Sequence, residues 1–162
     1  MKKQLMSVVI IVVSVAGLVS GTTAFAGGKD VDAVRAAAEE FYSALNVMFT
    51  GEVGPMKEAW SHGDDVTFMG PEGGFLVGWN KIMPEWERQA ALNLGGKVEP
   101  KEIRITVGSD LAIVSNYEIG QNVTADGKIQ NVSIRATNLF RNENGKWKMI
   151  GHHTDKLPFL QE

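Results

Sequence analysis

The chain has 162 residues, with 16 lysines and arginines against 19 aspartates and glutamates, and it contains no cysteine. A mildly acidic chain without a basic run argues against nucleic acid or an anionic membrane surface as its partner. The lack of cysteine excludes disulfides, thiolate nucleophiles and cysteine metal sites, and it is compatible with an oxidising compartment.

Residues 1–26 have the pattern of a secretory signal peptide. Lys2-Lys3 precedes an apolar run over residues 8–19, and Ala24-Phe25-Ala26 supplies a small-x-small cleavage pattern. We therefore predict cleavage after Ala26 and a mature chain of residues 27–162 that is periplasmic or secreted and no longer held in a membrane. The alternative is an uncleaved anchor, although the apolar run is shorter than the roughly 20 residues that span a bilayer.

The first part of the mature chain predicts three helices and two short strands. Apolar residues recur every three or four positions over residues 30–49, with Asp30 as the N-cap and Gly51 to end the helix. A short helix covers residues 54–60, with Pro55 in its first turn. The remaining predicted elements are strands 66–69 and 74–77 and a helix from residue 78 to about 94, with Pro84 in its first turn.

The last part of the chain predicts long strands. Four segments rich in valine, isoleucine and threonine are separated by turn sequences that include Asn144-Gly145. They cover residues 99–107, 111–124, 128–140 and 146–153. We predict a four-stranded antiparallel meander, and with the helices an α+β domain in which a curved antiparallel sheet wraps around three N-terminal helices.

Short motifs spread over the mature chain carry a family resemblance. They are Phe41-Tyr42, Trp60 followed by Asp64-Asp65-Val66, Gly78-Trp79, Arg135-x-Thr137, and Gly145-x-Trp147 leading to His153-x-Asp155. In this order they resemble a SnoaL-like domain of the nuclear transport factor 2-like superfamily, over residues 27–162. The resemblance implies a cone-shaped fold with a pocket between the helices and the concave sheet, and often a homodimer formed through the outer face of the sheet.

The resemblance does not decide the function. Members of the superfamily include polyketide cyclases, ketosteroid isomerases, epoxide hydrolases and non-enzymatic association domains. The family's last strand often closes with His-x-His-x-Ser, whereas this chain has Gly151-His152-His153-Thr154-Asp155 at the corresponding positions. This chain therefore lacks the first histidine and the serine of that pattern. The contacts that these two residues make in other members cannot be assumed here.

The last strand supplies the first candidate for chemistry. Trp147, Met149 and His153 share one face of a regular strand, and His152 lies on the other, so both histidines cannot face one pocket unless a bulge intervenes. Because the Trp147 face is the more apolar, we predict that it faces inward and that His153 is the pocket histidine. Asp155 is then placed to hold the imidazole in one tautomer. The alternative is a histidine at the rim with a structural hydrogen bond.

Asp64-Asp65 is the second candidate. One of two adjacent carboxylates at a junction between a helix and a strand can turn inward, and we prefer Asp65, beside Trp60 and Phe68. A carboxylate desolvated against aromatic rings has a raised pKa and is able to transfer protons near neutral pH. A turn or capping role is the plain alternative.

Arg135 and Thr137 share a strand face that, by the resemblance, lines the pocket. An arginine there binds a carboxylate or enolate oxygen with two hydrogen bonds, and a salt bridge to Glu118 or another carboxylate is the alternative. The further predicted ligand contacts are aromatic residues that are equally suited to a core. They are Tyr42, Trp60, Phe68, Trp79, Trp86 and Tyr117.

The sequence predicts no metal and no cofactor. His62, His153 and Asp64 lack the helical i, i+4 spacing of a recognisable zinc site, and neither a glycine-rich phosphate loop nor a serine nucleophile elbow is present. The first hypothesis is an exported domain that binds a small, largely apolar molecule with a carbonyl or acidic group and acts as a cofactor-free isomerase, cyclase or hydrolase. The second is a non-catalytic periplasmic binding or association module.

Overall fold

The computed structural model describes residues 27–124 and 126–155, so the predicted signal peptide lies outside the described residues. Helices and short strands come first: α1 (Gly28–Met48), α2 (Gly54–Ala59), β1 (Thr67–Met69), β2 (Leu76–Val77) and α3 (Trp79–Ala90). Four long strands follow: β3 (Lys97–Val107), β4 (Leu111–Val123), β5 (Ile129–Glu143) and β6 (Lys146–Asp155).

The strands form one curved, unclosed sheet of six strands in the order β2-β1-β6-β5-β4-β3. Strand β1 pairs with β6 in parallel, and the other neighbours are antiparallel. The predicted meander is confirmed as β3 to β6, and the predicted α+β class is confirmed with it.

Helix α1 buries one face in the core. Val34, Ala38, Phe41 and Met48 are all under 2% exposed, as the helical spacing requires. The helix ends before Gly51, whose φ of 95° only glycine adopts at low cost. The predicted N-cap is wrong, because Gly27 occupies that position and Asp30 lies in the first turn, where its carboxylate favours the positive end of the helix.

Helix α3 is shorter than predicted and ends at Ala90. The predicted place of Pro84 in the first turn is also wrong, because the helix begins at Trp79 and Pro84 lies inside it. Pro84 is exposed, so the backbone carbonyl that it leaves without a helical partner faces the solvent side. The opposite face buries Ile82, Trp86 and Ala90 against the core.

A bulge in β6 decides which side chains of this strand face inward. Phe140 pairs with Met149, but the preceding residue Leu139 pairs with Gly151, so Ile150 is an extra residue. Before the bulge Trp147 and Met149 face the core, and after it His152 and Thr154 are buried. One inserted residue reverses the alternation of a strand.

The core lies between the helices and the concave face of the sheet. Its fully buried large side chains include Phe41, Trp60, Trp86, Phe140 and Met149. None of the helices in the described residues is long and apolar enough to cross a membrane.

Candidate functional site

A cavity of about 880 Å³ lies between the concave face of the sheet, α1, α3 and the 70–74 loop. Its apolar walls include Leu45, Phe49, Phe68, Trp86 and Val98. The exposed lining residues belong to the 70–74 loop, the end of α3 and the first part of β5, which places the mouth there. A concave, largely apolar space with a few polar groups is the usual form of a small-molecule site.

Two buried titratable side chains, Glu118 on β4 and His152 on β6, are among the residues that line this cavity. They are 3% and 4% exposed, and Glu118 Oε1 lies 3.7 Å from His152 Nε2. Burial raises the pKa of Glu118 to about 7 and lowers the pKa of His152 to about 3. Both shifts have the same cause, because a low-dielectric site penalises the charged form of either group.

Aromatic rings account for the desolvation of His152. The ring centroids of Phe41, Phe68 and Trp86 lie 4.9, 5.9 and 6.1 Å from that of the imidazole. These residues come from α1, β1 and α3, so three elements close around the histidine. The imidazole is therefore held neutral at physiological pH.

Three further polar residues support the pair from behind, outside the cavity lining. Tyr42 on α1 donates a hydrogen bond of 3.0 Å to Glu118 Oε1. Asn138 Oδ1 on β5 lies 2.6 Å from His152 Nδ1. Asn116 and Asn138 donate to the Tyr42 hydroxyl at 2.7 and 3.0 Å, so the five residues form one buried network.

This arrangement is suited to proton transfer. A carboxyl group with a pKa near 7 is protonated in a large fraction of molecules at neutral pH and is able to donate, and a neutral imidazole is able to accept. Two titratable groups whose environments shift their pKa values in this way are a common feature of acid–base sites.

The prediction that His153 faces the interior is wrong. The Ile150 bulge turns His152 into the cavity and places His153 on the convex outer face of the sheet. The His153 ring is half-buried there, with Nε2 2.9 Å from Thr67 Oγ1, and burial lowers its pKa. Any proton transfer by His153 would therefore take place outside the cavity.

The prediction that Asp65 is desolvated is also wrong. Its side chain is 64% exposed and pairs with Arg141 Nη1 at 2.5 Å. The hydrogen bond to Arg141 lowers the pKa of Asp65, which is the opposite of the predicted direction. Arg141 also binds Ser61 and Glu143, so Asp65 belongs to a polar cluster that joins the α2–β1 connection to β5.

Arg135 lies on the outer face as well, against the prediction that it lines the interior. Its guanidinium donates two hydrogen bonds to Asp155, at 2.9 and 3.0 Å. This ion pair is the predicted salt-bridge alternative, with Asp155 as the carboxylate partner instead of Glu118. Tyr117, Thr137 and His153 line the same shallow outer groove of about 690 Å³. The structure thus brings five predicted site residues together, but on the side of the sheet opposite the cavity.

The other aromatic residues predicted to contact a ligand lie in different places. Phe68 and Trp86 line the cavity, and the Tyr42 hydroxyl supports Glu118 from behind. Trp60 is a buried core residue at 1% exposure, and Trp79 stacks on His62 with ring centroids 4.5 Å apart.

Sequence reasoning did not identify Glu118 and His152 as residues of the cavity. It also did not identify Asn116 and Asn138, which support them from behind. A signal for Asn116 and Glu118 is present in β4, where they occupy alternate positions with Asn122. Three polar residues on one face of a long strand indicate a wet or functional face. No signal of this kind identifies His152, because its direction depends on the bulge.

The described residues contain no cluster of three or more histidine or acidic side chains able to hold a metal ion. His62, His153 and Asp64, the set weighed above for a metal site, do not form such a cluster in this part of the chain.

The fold and the pocket define an α+β cone with a ligand-sized cavity, and comparison with known families agrees with that class. A family model described as "SnoaL-like domain" matches residues 34–155, and the chain belongs to this family. No curated protein matches the sequence.

Solved structures with low sequence identity share the fold. A candidate dehydratase of the NTF2-like family from Streptomyces avermitilis is 21% identical with a TM-score of 0.72, over 80% of this chain and 97% of the other. A protein with a cystatin-like fold from Caulobacter vibrioides is 22% identical with a TM-score of 0.64, over 82% and 93%.

A third similar structure has a different kind of name. It is a candidate calcium/calmodulin-dependent protein kinase type II association domain from Thiobacillus denitrificans, 23% identical with a TM-score of 0.65, over 76% and 94% of the two chains. Two of the three names state different functions and the other states only a fold, so these likenesses support the fold alone.

Proposed function

We propose that this SnoaL-like domain binds a small, largely apolar molecule in the interior cavity and moves a proton within it without a cofactor. The observation that carries the proposal is the pair formed by Glu118 and His152 at the polar end of the cavity, with 3.7 Å between Oε1 and Nε2. The proton carriers differ from the Asp65 and His153 of the sequence prediction. An isomerase, a cyclase or a hydrolase needs one group that takes a proton and one that gives it.

The simplest step that the pair supports is enolisation of a carbonyl compound. His152 Nε2 takes the proton from the carbon next to the carbonyl, and the Glu118 carboxyl gives its proton to the carbonyl oxygen. The product is an enol, with an imidazolium and a carboxylate left on the protein. Return of the proton from His152 to carbon, together with return of the enol proton to Glu118, regenerates the carbonyl compound and the protein. If the enol leaves instead, transfer of the proton from the imidazolium to the carboxylate restores the protein.

The charges around the cavity disfavour an anionic ligand. Glu72, Glu85 and Glu118 line it, and among the described residues Arg88 is the only arginine or lysine that does. Arg88 lies at the mouth, where Glu85 accepts two of its hydrogen bonds at 2.7 and 2.9 Å. The predicted acidic ligand loses its support, because Arg135 lies on the other side of the sheet.

Exchange of the α-protons of 2-indanone in deuterated buffer, followed by NMR, tests the proposal. The wild-type protein should accelerate the exchange, and Glu118→Gln should lower the rate by at least about 100-fold, the usual scale of one acid–base group. Asp65→Asn and His153→Gln are matched controls that should keep the wild-type rate, because both residues lie outside the cavity. Exchange no faster than in buffer alone would contradict the catalytic role and favour a binding module.

We further propose that the domain forms a homodimer through the outer face of the sheet. The support is a row of exposed apolar side chains on β4, which a monomer would leave in water. They are Leu111, Ile113, Tyr117, Ile119 and Val123. Ile113→Asp should shift the protein from dimer to monomer in light scattering after size exclusion, and a wild-type monomer at every concentration would contradict the proposal.

We also propose export, as the first 26 residues predict. Mass spectrometry of the protein from the native periplasm tests it, with a mature chain that begins at Gly27 as the expected result. A chain that still carries residues 1–26 would contradict cleavage.

A further inference from the structure

We infer that the cavity recognises an uncharged hydroxyl group, bound between His152 Nε2 and the Glu118 carboxyl. This inference rests on the proposed function of the same cavity and goes beyond it, because it names the chemical group that the pair contacts. It follows from which atom donates and which accepts in each hydrogen bond of the buried network. One hydrogen bond to a backbone carbonyl determines these assignments.

The backbone carbonyl of Tyr117 is the starting point. A carbonyl oxygen only accepts, so the Asn116 side-chain atom 3.0 Å from it is the amide nitrogen. The Asn116 amide oxygen then faces Asn138, at 3.2 Å, and requires a donor there. The amide nitrogen of Asn138 is therefore the atom that faces Asn116, and its oxygen faces His152.

This chain of contacts assigns the tautomer of His152. Asn138 Oδ1 accepts at 2.6 Å, so His152 Nδ1 carries the proton. A neutral imidazole has one proton, and Nε2 is therefore an unprotonated acceptor that faces the cavity. Asn138 is a positioning residue, since it acts on the ligand only through His152.

Tyr42 assigns the second group in the same way. Its hydroxyl accepts from the amide nitrogens of Asn116 and Asn138, which uses both lone pairs. The Tyr42 hydroxyl therefore donates its proton in a hydrogen bond to Glu118 Oε1, 3.0 Å away. Glu118 Oε2 has no hydrogen-bond partner within residues 27–124 and 126–155, so a protonated Glu118 has a donor available to a ligand.

The cavity therefore offers one acceptor, His152 Nε2, and one donor on the protonated Glu118 carboxyl, whose Oε1 lies 3.7 Å from Nε2. An alcohol, a phenol or an enol satisfies both, because its oxygen accepts from Glu118 while its proton goes to His152 Nε2. A ketone satisfies only the donor and leaves Nε2 unpaired. A carboxylate does the same and brings a negative charge into the cavity, where Arg88, the one arginine or lysine of the lining in the described part of the chain, is already paired with Glu85. The enol of the proposed reaction carries the preferred group.

Four probes with one carbon skeleton test the inference on the wild-type protein at pH 6. They are 2-indanol, 2-indanone, indane and indane-2-carboxylate. We expect 2-indanol to bind about tenfold more tightly than 2-indanone or indane, the scale of one buried hydrogen bond. Nitrogen-15 NMR of the labelled histidines should show an Nδ1–H tautomer for His152 and a shift of its Nε2 resonance only on addition of 2-indanol.

His153→Gln is the matched control for this experiment, because the substituted ring lies on the outer face and the binding order of the probes should not change. Equal binding of 2-indanol and indane, an Nε2–H tautomer, or an Nε2 resonance that 2-indanol does not move would overturn the inference. Equal binding or an unmoved resonance would leave the proposed proton transfer standing, since 2-indanone exchange in the wild type and in Glu118→Gln tests it separately. An Nε2–H tautomer would overturn both proposals, because His152 Nε2 then has no lone pair to take a proton.

Discussion

His152 and His153 are adjacent in the chain but face opposite sides of the sheet. His152 lies in the interior with its ring 4.9 Å from that of Phe41, and His153 lies on the outer face within hydrogen-bond distance of Thr67. The bulge at Ile150 sets this arrangement, and it gives two histidines in one protein very different surroundings.

The histidine titrations should differ accordingly. We expect His152 to stay neutral down to about pH 3, because burial disfavours its charged form, and His153 to titrate below its usual range by a smaller amount. NMR titration of the histidine side chains checks this, and His152→Gln assigns the signal. A midpoint for His152 close to 6.5 would contradict the buried placement.

Glu118 should make stability fall as pH rises. Its pKa is raised to about 7 in the folded protein from 4.5, so the folded state holds the proton more tightly than the unfolded chain. The stabilisation is complete below pH 4.5 and is lost as pH rises through 7. Glu118→Gln keeps a neutral group, and the variant should gain up to about 3 kcal/mol relative to wild type between pH 4.5 and pH 8 in urea unfolding.

His152 contributes with the opposite sign. Its pKa is lowered to about 3 from 6.5, so stability is lost as pH falls below 6.5. In the wild type, between about pH 4.5 and 6.5, Glu118 and His152 therefore change the free energy of unfolding with pH in opposite directions. The Glu118→Gln variant should expose the His152 slope, a loss of about 1.4 kcal/mol per pH unit on acidification. Parallel pH profiles for wild type and variant would show that Glu118 is not shifted.

Removal of Asn138 should destabilise the fold. Asn138→Ala leaves His152 Nδ1 and Asn116 Oδ1 without partners in a buried site, and Tyr42 loses one donor. We expect a loss of about 3 kcal/mol in the free energy of unfolding. Asn131→Ala on the exposed part of the same strand should cost less than about 0.5 kcal/mol. Equal costs for the two variants would argue against the network.

Asp65→Asn should have little effect. The pair with Arg141 is largely exposed on the Asp65 side, and solvent screens such pairs, so the loss of stability should be less than about 1 kcal/mol. Binding of 2-indanol in the cavity should be unchanged. Calorimetry and the indane probes check both statements, and a large loss of binding in this variant would restore Asp65 as a site residue.

Gly120→Ala should disturb the sheet. A Cβ at Gly120 would stand 2.8 Å from Val98 Cα and closer still to the Lys97 carbonyl, and backbone atoms cannot rotate away as a side chain can. We expect a loss of at least about 2 kcal/mol in thermal or urea unfolding. Gly54→Ala, where a Cβ meets nothing within 4 Å, should be neutral or stabilise by up to about 1 kcal/mol. The reverse order of the two variants would contradict this packing.

The elements and the pairing of the four long strands could be predicted from local patterns, but the parallel pairing of β1 with β6 could not. The 3.6-residue period of α1 and the turns between β3, β4, β5 and β6 are properties of neighbouring residues, and they lead directly to three helices beside a meander. The SnoaL-like class follows from the same order of motifs. The N-cap of α1 and the end of α3 were misplaced, because termini depend on a few weak contacts.

The face that each strand turns inward could not be predicted from its alternation. On β4 the more apolar set, which includes Ile113, Tyr117 and Ile119, lies outside, and the set with Asn116 and Glu118 lies inside. A hydrophobicity rule therefore selects the wrong face, since the interior here is a cavity with a polar end.

Within each regular helix or strand, the sequence by itself determined which residues share a face, because a strand alternates with a period of two and a helix with a period of 3.6. Only the tertiary structure decided which face encloses the cavity. One extra residue at Ile150 reverses the alternation of β6, and the placement of α1 and α3 over the concave side desolvates Glu118 and His152. Both effects depend on contacts between residues far apart in the chain, and such contacts leave no local pattern.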